Sequence, residues 1–173
     1  GEIGGEAIAY IDGGVGEAYG LCLGRDANGV SAYIVLKDGT INQIALDLSG
    51  ATPTGRTVRT IKLATQSEGC AVDDRSGRLF VAEEDAGLWR VDAGSTTPVL
   101  IAAADGRNIV ADAEGVALAP MGATDGYVLV SSQGDNAYVA YRISYDSYAG
   151  RFRITDVTVG RGGETDGIDV MLG

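Results

Sequence analysis

Three runs of small and apolar residues each begin with an oxygen-bearing side chain, and a second polar group closes the next apolar run about 16 to 19 residues later. The pairs are Tyr19 with Lys37, Glu68 with Glu84, and Glu114 with Gln133; Asp112 accompanies the third opening and Asp166 makes a fourth. Successive openings lie roughly 46 to 52 residues apart, a period that signals a propeller or solenoid array. In a propeller the innermost strands of all blades surround one channel. Residues a blade apart in sequence then meet in space.

The chemistry available there is that of oxygen donors. The chain has no histidine, which removes histidine-based nucleophile activation and the usual histidine zinc sites. Carboxylates and a carboxamide suit a hard cation, calcium above all, whose six to eight oxygen ligands could come from Glu68, Glu84, Asp112 and Glu114 with Gln133 and the Tyr19 hydroxyl. Lys37 stands in the first unit where Glu84 and Gln133 stand in the next two. A cation beside a metal cluster implies an anion between them, and phosphate fits: metals and a lysine clamp its oxygens while a metal-activated water attacks in line. The competing reading of Lys37 is an ordinary turn lysine in Lys37-Asp-Gly39. Glu83 and Asp85, which flank Glu84, read as solvated, because neighbours in a strand point to opposite faces. Asp73 and Asp74 read as turn residues, and Asp12, Asp26 and Asp47 carry no readable role.

Positioning these groups requires short strands, and the sequence supplies them in fours. Tyr19 to Leu23, Ala32 to Leu36, Ile41 to Leu46 and Thr57 to Leu63 form the first unit, with hairpin turns at Asp26-Ala-Asn-Gly29 and Lys37-Asp-Gly39. Glu68 to Val72, Arg78 to Ala82, Gly87 to Val91 and Val99 to Ala102 repeat the plan. The third unit uses Glu114 to Leu118, Gly126 to Ser131, Ala137 to Ile143 and Arg151 to Ile154. The expected architecture is all-β: a single partial β-propeller domain of four-stranded antiparallel blades at about residues 17–64, 67–103 and 112–156, with a further blade opening at 164–173. A closed ring takes four to eight blades, so the chain reads as a piece of a longer protein rather than one that must assemble to cover its edges.

Composition narrows the partners. A net charge of −11 argues against nucleic acid and anionic membrane surfaces, and no apolar stretch approaches the roughly 18 residues of a membrane-spanning helix. No charged and apolar leader precedes Gly1, which leaves export unreadable. Cys22 and Cys70 sit inside apolar strand patterns, and buried free thiols are expected there.

Several ordered motifs then point to one family. Ser67-Glu-Gly-Cys-Ala-Val-Asp-Asp74, Leu79-Phe-Val-Ala-Glu-Glu-Asp85 with Leu88-Trp-Arg90, Asp112-Ala-Glu-Gly115, Ser131-Ser-Gln-Gly134, Phe152-Arg-Ile-Thr-Asp156 and Thr165-Asp-Gly-Ile-Asp-Val170 closely resemble the β-propeller phytases, the alkaline calcium-dependent 3-phytases. The resemblance runs from about Tyr19 to the last residue. It implies a six-bladed protein of roughly twice this length. It also implies calcium-dependent hydrolysis of the phosphomonoesters of myo-inositol hexakisphosphate, taken as its calcium complex, with release of inorganic phosphate. On this resemblance Tyr19, Glu68, Glu84, Asp112, Glu114 and Gln133 ligate or surround several calcium ions, Lys37 and Tyr19 contact substrate phosphate, and Glu84 and Asp166 serve the attacking water. It implies a secreted or periplasmic, monomeric full-length enzyme. One departure concerns a calcium-binding aspartate of the family about six residues before Asp166, where this chain has Gly160 or Arg161. Other phosphate-binding basic residues of the family belong to blades that this chain does not carry, so the isolated piece is expected to be nearly inactive. The alternatives are a calcium-dependent propeller lactonase, which would not need Lys37, and a non-catalytic calcium-stabilised binding propeller.

Overall fold

A computed structural model describes residues 5–156, 160–161 and 167–171. Alternating apolar residues and glycine-bearing turns fold the chain into three antiparallel four-stranded meanders, each with its strands in sequence order. The first sheet is β1 (Ala18–Asp26), β2 (Gly29–Leu36), β3 (Thr40–Asp47) and β4 (Thr54–Lys62). The second is β5 (Ser67–Asp73), β6 (Arg78–Glu83), β7 (Gly87–Val91) and β8 (Pro98–Ala103). The third is β9 (Ala113–Met121), β10 (Asp125–Ser132), β11 (Ala137–Arg142) and β12 (Ser147–Phe152), with a single 3-10 turn, Gln133–Asp135, between β10 and β11. A short ladder, β13 (Thr155–Asp156) with β14 (Gly160–Arg161), follows. The first strands of successive sheets, β1, β5 and β9, lie against one another, so the sheets are blades of an unclosed β-propeller.

Two apolar clusters fill the seams between blades. Tyr33, Val35, Ile41 and Ile61 of the first blade pack with Leu79, Val81 and Val91 of the second. Phe80, Leu88 and Ala102 of the second pack with Val116, Val128, Val139 and Ile143 of the third. Each fully buried side chain of this size contributes roughly 1.5 to 3 kcal/mol relative to exposure. That is what holds sheet to sheet.

At the end of the blades remote from Tyr19, Glu68 and Glu114, arginines strut the same seams. Arg59 donates to the Asp92 and Ser95 carbonyls at 3.2 and 2.8 Å. Arg75 reaches from the second blade to the Gly122 and Asp125 carbonyls at 3.0 and 2.7 Å, while its Nε holds Asp73. Burial pushes the Asp73 carboxyl up, but hydrogen bonds from Arg75 and Ser76 outweigh it and hold the group below its ordinary 3.8. Asp74 accepts from the Arg25 amide at 2.7 Å, so both aspartates of this turn are structural, as the sequence suggests. Asp12, Asp26 and Asp47 each accept an amide two residues on, at Gly14, Asn28 and Ser49, which closes their loops.

Two sequence expectations are overturned. Cys22 and Cys70 are not free thiols but form a disulfide, Cα to Cα 5.7 Å, joining β1 to β5 across the first seam. Their strands belong to separate sheets, so nothing local in sequence brings them together. Glu83 is not solvated: it is fully buried and accepts hydrogen bonds from the Thr65 amide (2.6 Å), the Thr65 hydroxyl (2.8 Å) and Trp89 Nε1 (2.7 Å). Alternation does turn Glu83 away from Glu84, but the far face of this strand is protein interior. Its three donors offset the cost of burying the charge.

Candidate metal centre

The same register recurs at one end of all three blades. The residue after the second strand donates its amide to a residue before the first: Lys37 to the Glu17 carbonyl (2.9 Å), Glu84 to Gln66 (3.1 Å), Gln133 to Asp112 (2.9 Å). Each blade thus presents a triplet on the channel rim: Glu17, Tyr19 and Lys37, then Gln66, Glu68 and Glu84, then Asp112, Glu114 and Gln133. A further bond, Ala113 N to the Glu84 carbonyl at 3.0 Å, fixes the second triplet to the third.

Each opening residue sits at a register break. Pairing shifts between Ala18 and Gly20, between Ser67 and Cys70, and opposite Ser131 where Glu114 and Gly115 lie. Such bulges re-aim a side chain out of the ladder. The glycine that follows each opening residue lets the backbones close up. A Cβ at Gly20 would fall on the Glu68 carbonyl and one at Gly69 on the Glu114 carbonyl, while one at Gly115 would lie 3.0 Å from Ile168 N. The segment Gly167–Met171 therefore passes close to β9 at Gly115.

These contacts bring Glu68, Glu84 and Glu114 together, each offering a carboxylate oxygen within 4.8 Å of the others. Glu114 is buried and accepts from Gln133 Nε2 at 2.8 Å; Glu84 accepts from Gln66 Nε2. Three ionised carboxylates at that separation repel by about 3 kcal/mol per pair at an effective dielectric near 20. A divalent cation reverses that sign, and the donor set is all oxygen, so the residues fit calcium. Asp112 lies two residues from Glu114 but is not one of the three converging carboxylates.

On the neighbouring blade Lys37 Nζ lies 5.0 Å from the Tyr19 ring centroid and 3.7 Å from Glu17 Oε2. Its ammonium is half exposed and restrained by an aromatic face and one rim carboxylate. Asp166 lies outside the described residues, and of Gly160 and Arg161 only the backbone is described. Gln66 and Glu17 are rim residues that sequence reasoning missed. The signal was present: each stands two residues before an opening residue, as Asp112 does.

Fold and rim define a class: a β-propeller in which oxygen donors from successive blades gather at one end of the channel. The chain belongs to the phytase family, whose family model, Phytase, matches residues 6–173. It is 35% identical over 167 residues to the 3-phytase of Bacillus subtilis (strain 168), covering 91% of this chain and 43% of that protein. The chain thus spans less than half the length of this relative. Among solved structures it is similar in fold to the computationally designed Ika4 protein (TM-score 0.59, 14% identity, 94% of this chain and 85% of that one). A chain of the mitotic checkpoint complex also matches (TM-score 0.54, 16% identity, 76% and 38%).

Proposed function

We propose that this chain is part of a calcium-dependent phytase that hydrolyses phosphomonoesters of myo-inositol hexakisphosphate, and that its rim supplies the acidic side of the active site. The observation that carries the reading is the convergence of Glu68, Glu84 and Glu114 from two blades of a phytase-family chain, with Lys37 on the blade beside them. Glu68, Glu84 and Glu114 would hold calcium, with Asp112, Gln133 and Tyr19 completing the shells. Bound calcium supplies charge neutralisation for a phosphate ester and an acidified water. Gln66 and Gln133 orient two of the carboxylates by hydrogen bonds. Lys37 supplies a cation to a phosphate oxygen, and the Tyr19 ring limits where its ammonium can go. Asp166 is proposed to act near the attacking water.

The disulfide between Cys22 and Cys70 favours an oxidising compartment, in keeping with a secreted or periplasmic protein; a monomeric full-length form is part of the same proposal. The test is phosphate release from calcium phytate by the full-length protein. Glu84→Gln is expected to lower kcat by about a hundredfold or more, and Lys37→Ala to raise KM. Wild-type turnover by both variants, or equal activity in EDTA, would overturn the reading. The isolated chain should release phosphate negligibly compared with the full-length enzyme.

A further inference from the structure

Arg151 and Arg153 lie beyond the rim triplets, yet on the same end of the third blade, because β12 runs toward the rim and Arg153 follows its last residue. Both guanidinium groups turn onto one carboxylate. Arg151 Nη2 pairs with Asp135 Oδ2; Arg153 Nη2 donates to the same oxygen at 3.0 Å and its Nε to the Asp135 carbonyl at 3.1 Å. The other oxygen of Asp135 accepts from the Ser132 hydroxyl at 2.7 Å. Two cations therefore face one anion, in a chain whose overall charge is −11.

The first blade shows that one cation suffices for the structural task. Lys62, at the end of the first blade's outer strand, bonds the Asp38 carboxylate at 2.8 Å and the Asp38 carbonyl at 2.6 Å. Among the described residues, the second guanidinium of the third blade is thus a surplus charge. Arg153 is also 55% exposed, and a recess of about 260 Å³ is lined by Arg151, Phe152 and Arg153. Asp135 follows Gln133 by two residues in one 3-10 turn, and Gln133 bonds Glu114, so the recess and the carboxylate cluster are joined by one short run of contacts.

We propose that Arg151 and Arg153 form an outer subsite for a phosphate group on the rim of the third blade. Planar guanidinium forks suit tetrahedral oxyanions, and the surplus positive charge selects an anion. The proposal rests on the phosphate-ester reading above for its ligand class, but not on metal.

The test is titration of the chain in EDTA with inorganic phosphate, followed by amide NMR signals of residues 133–135 and 151–153, then repeated with myo-inositol hexakisphosphate. A saturable shift at both segments is expected. R151Q/R153Q should weaken it by about tenfold or more, the scale of a lost charge-assisted contact. K62Q should leave it unchanged. R151K/R153K, which keeps the charges that hold Asp135, guards against loss of the turn and should retain a weaker response. Tighter binding of the hexakisphosphate assigns the subsite to ester-bound phosphate, and equal binding to free phosphate. Undiminished shifts in a folded R151Q/R153Q, or shifts confined to the surroundings of Lys37, would overturn the subsite. Calcium-dependent hydrolysis by the full-length protein that persists in that case leaves the active-site reading standing; its absence from the full-length protein beside an intact phosphate response of the chain would fault that reading alone.

Discussion

Glu83 and Glu84 are consecutive carboxylates with opposite duties. Glu83 satisfies three donors in the interior, so Glu83→Ala should cost about 3 kcal/mol in urea unfolding, with or without calcium, because the Thr65 and Trp89 donors lose their partner. Glu84 faces the rim, where its carboxylate meets two others. Glu84→Gln should leave the melting temperature in EDTA near that of the unaltered chain and remove most of the rise that calcium brings by binding only the folded state. A melting temperature of the unaltered chain that ignores calcium would refute the metal assignment. The blade interval picks out Glu84 for the rim, but strand alternation then turns Glu83 to the other face without saying whether that face is wet.

Among the elements, the three inner strands decide whether donors on separate blades can share a cation. Each carries a bulge at its opening residue and a glycine after it, and each glycine occupies the place where the next blade's backbone approaches. A methyl group at Gly69 has no room beside the Glu114 carbonyl. Gly69→Ala should therefore destabilise the chain by about 2 to 4 kcal/mol and weaken calcium binding as well, checked by denaturant unfolding and calcium titration of the folded fraction. Gly29→Ala, at positive φ but with nothing within 4 Å of the added carbon, should cost only the backbone strain and leave calcium affinity unchanged. The strands were legible from alternation and turn residues, although β4 starts at Thr54, three residues before the expected Thr57. The bulges were not legible, because one extra residue is defined only by the strand opposite it.

Across the whole molecule, stability is set at the seams. The disulfide closes a loop across 48 residues, and its removal by Cys22→Ser with Cys70→Ser should cost up to about 4 kcal/mol on the chain-entropy account, measured as a drop in the denaturation midpoint. Acid should act on other clamps. Hydrogen bonds hold Asp73 and Asp135 below the ordinary 3.8 in the fold despite burial that pushes both up. Their contribution is complete above the unfolded value and disappears as pH falls through the depressed folded values. In EDTA, the stability owed to these two groups should stay level from neutral pH to about pH 4 and decline below it. Asp73→Asn should flatten that decline in acid unfolding curves.

Apolar alternation and a recurring interval of about 46 to 52 residues were enough to give an all-β propeller and to single out Glu68 and Glu114 as equivalent openings, with Glu84 at the closing position that Lys37 and Gln133 share. Both signals are local or periodic, and one chain read end to end contains them. The Cys22 to Cys70 bond, the burial of Glu83, the carboxamide of Gln66 on Glu84, and the paired arginines on Asp135 were decided by tertiary structure alone. Each depends on which face of one element meets which face of another, and that choice is made by the packing of whole sheets across a seam rather than by the residues on either side of a single position.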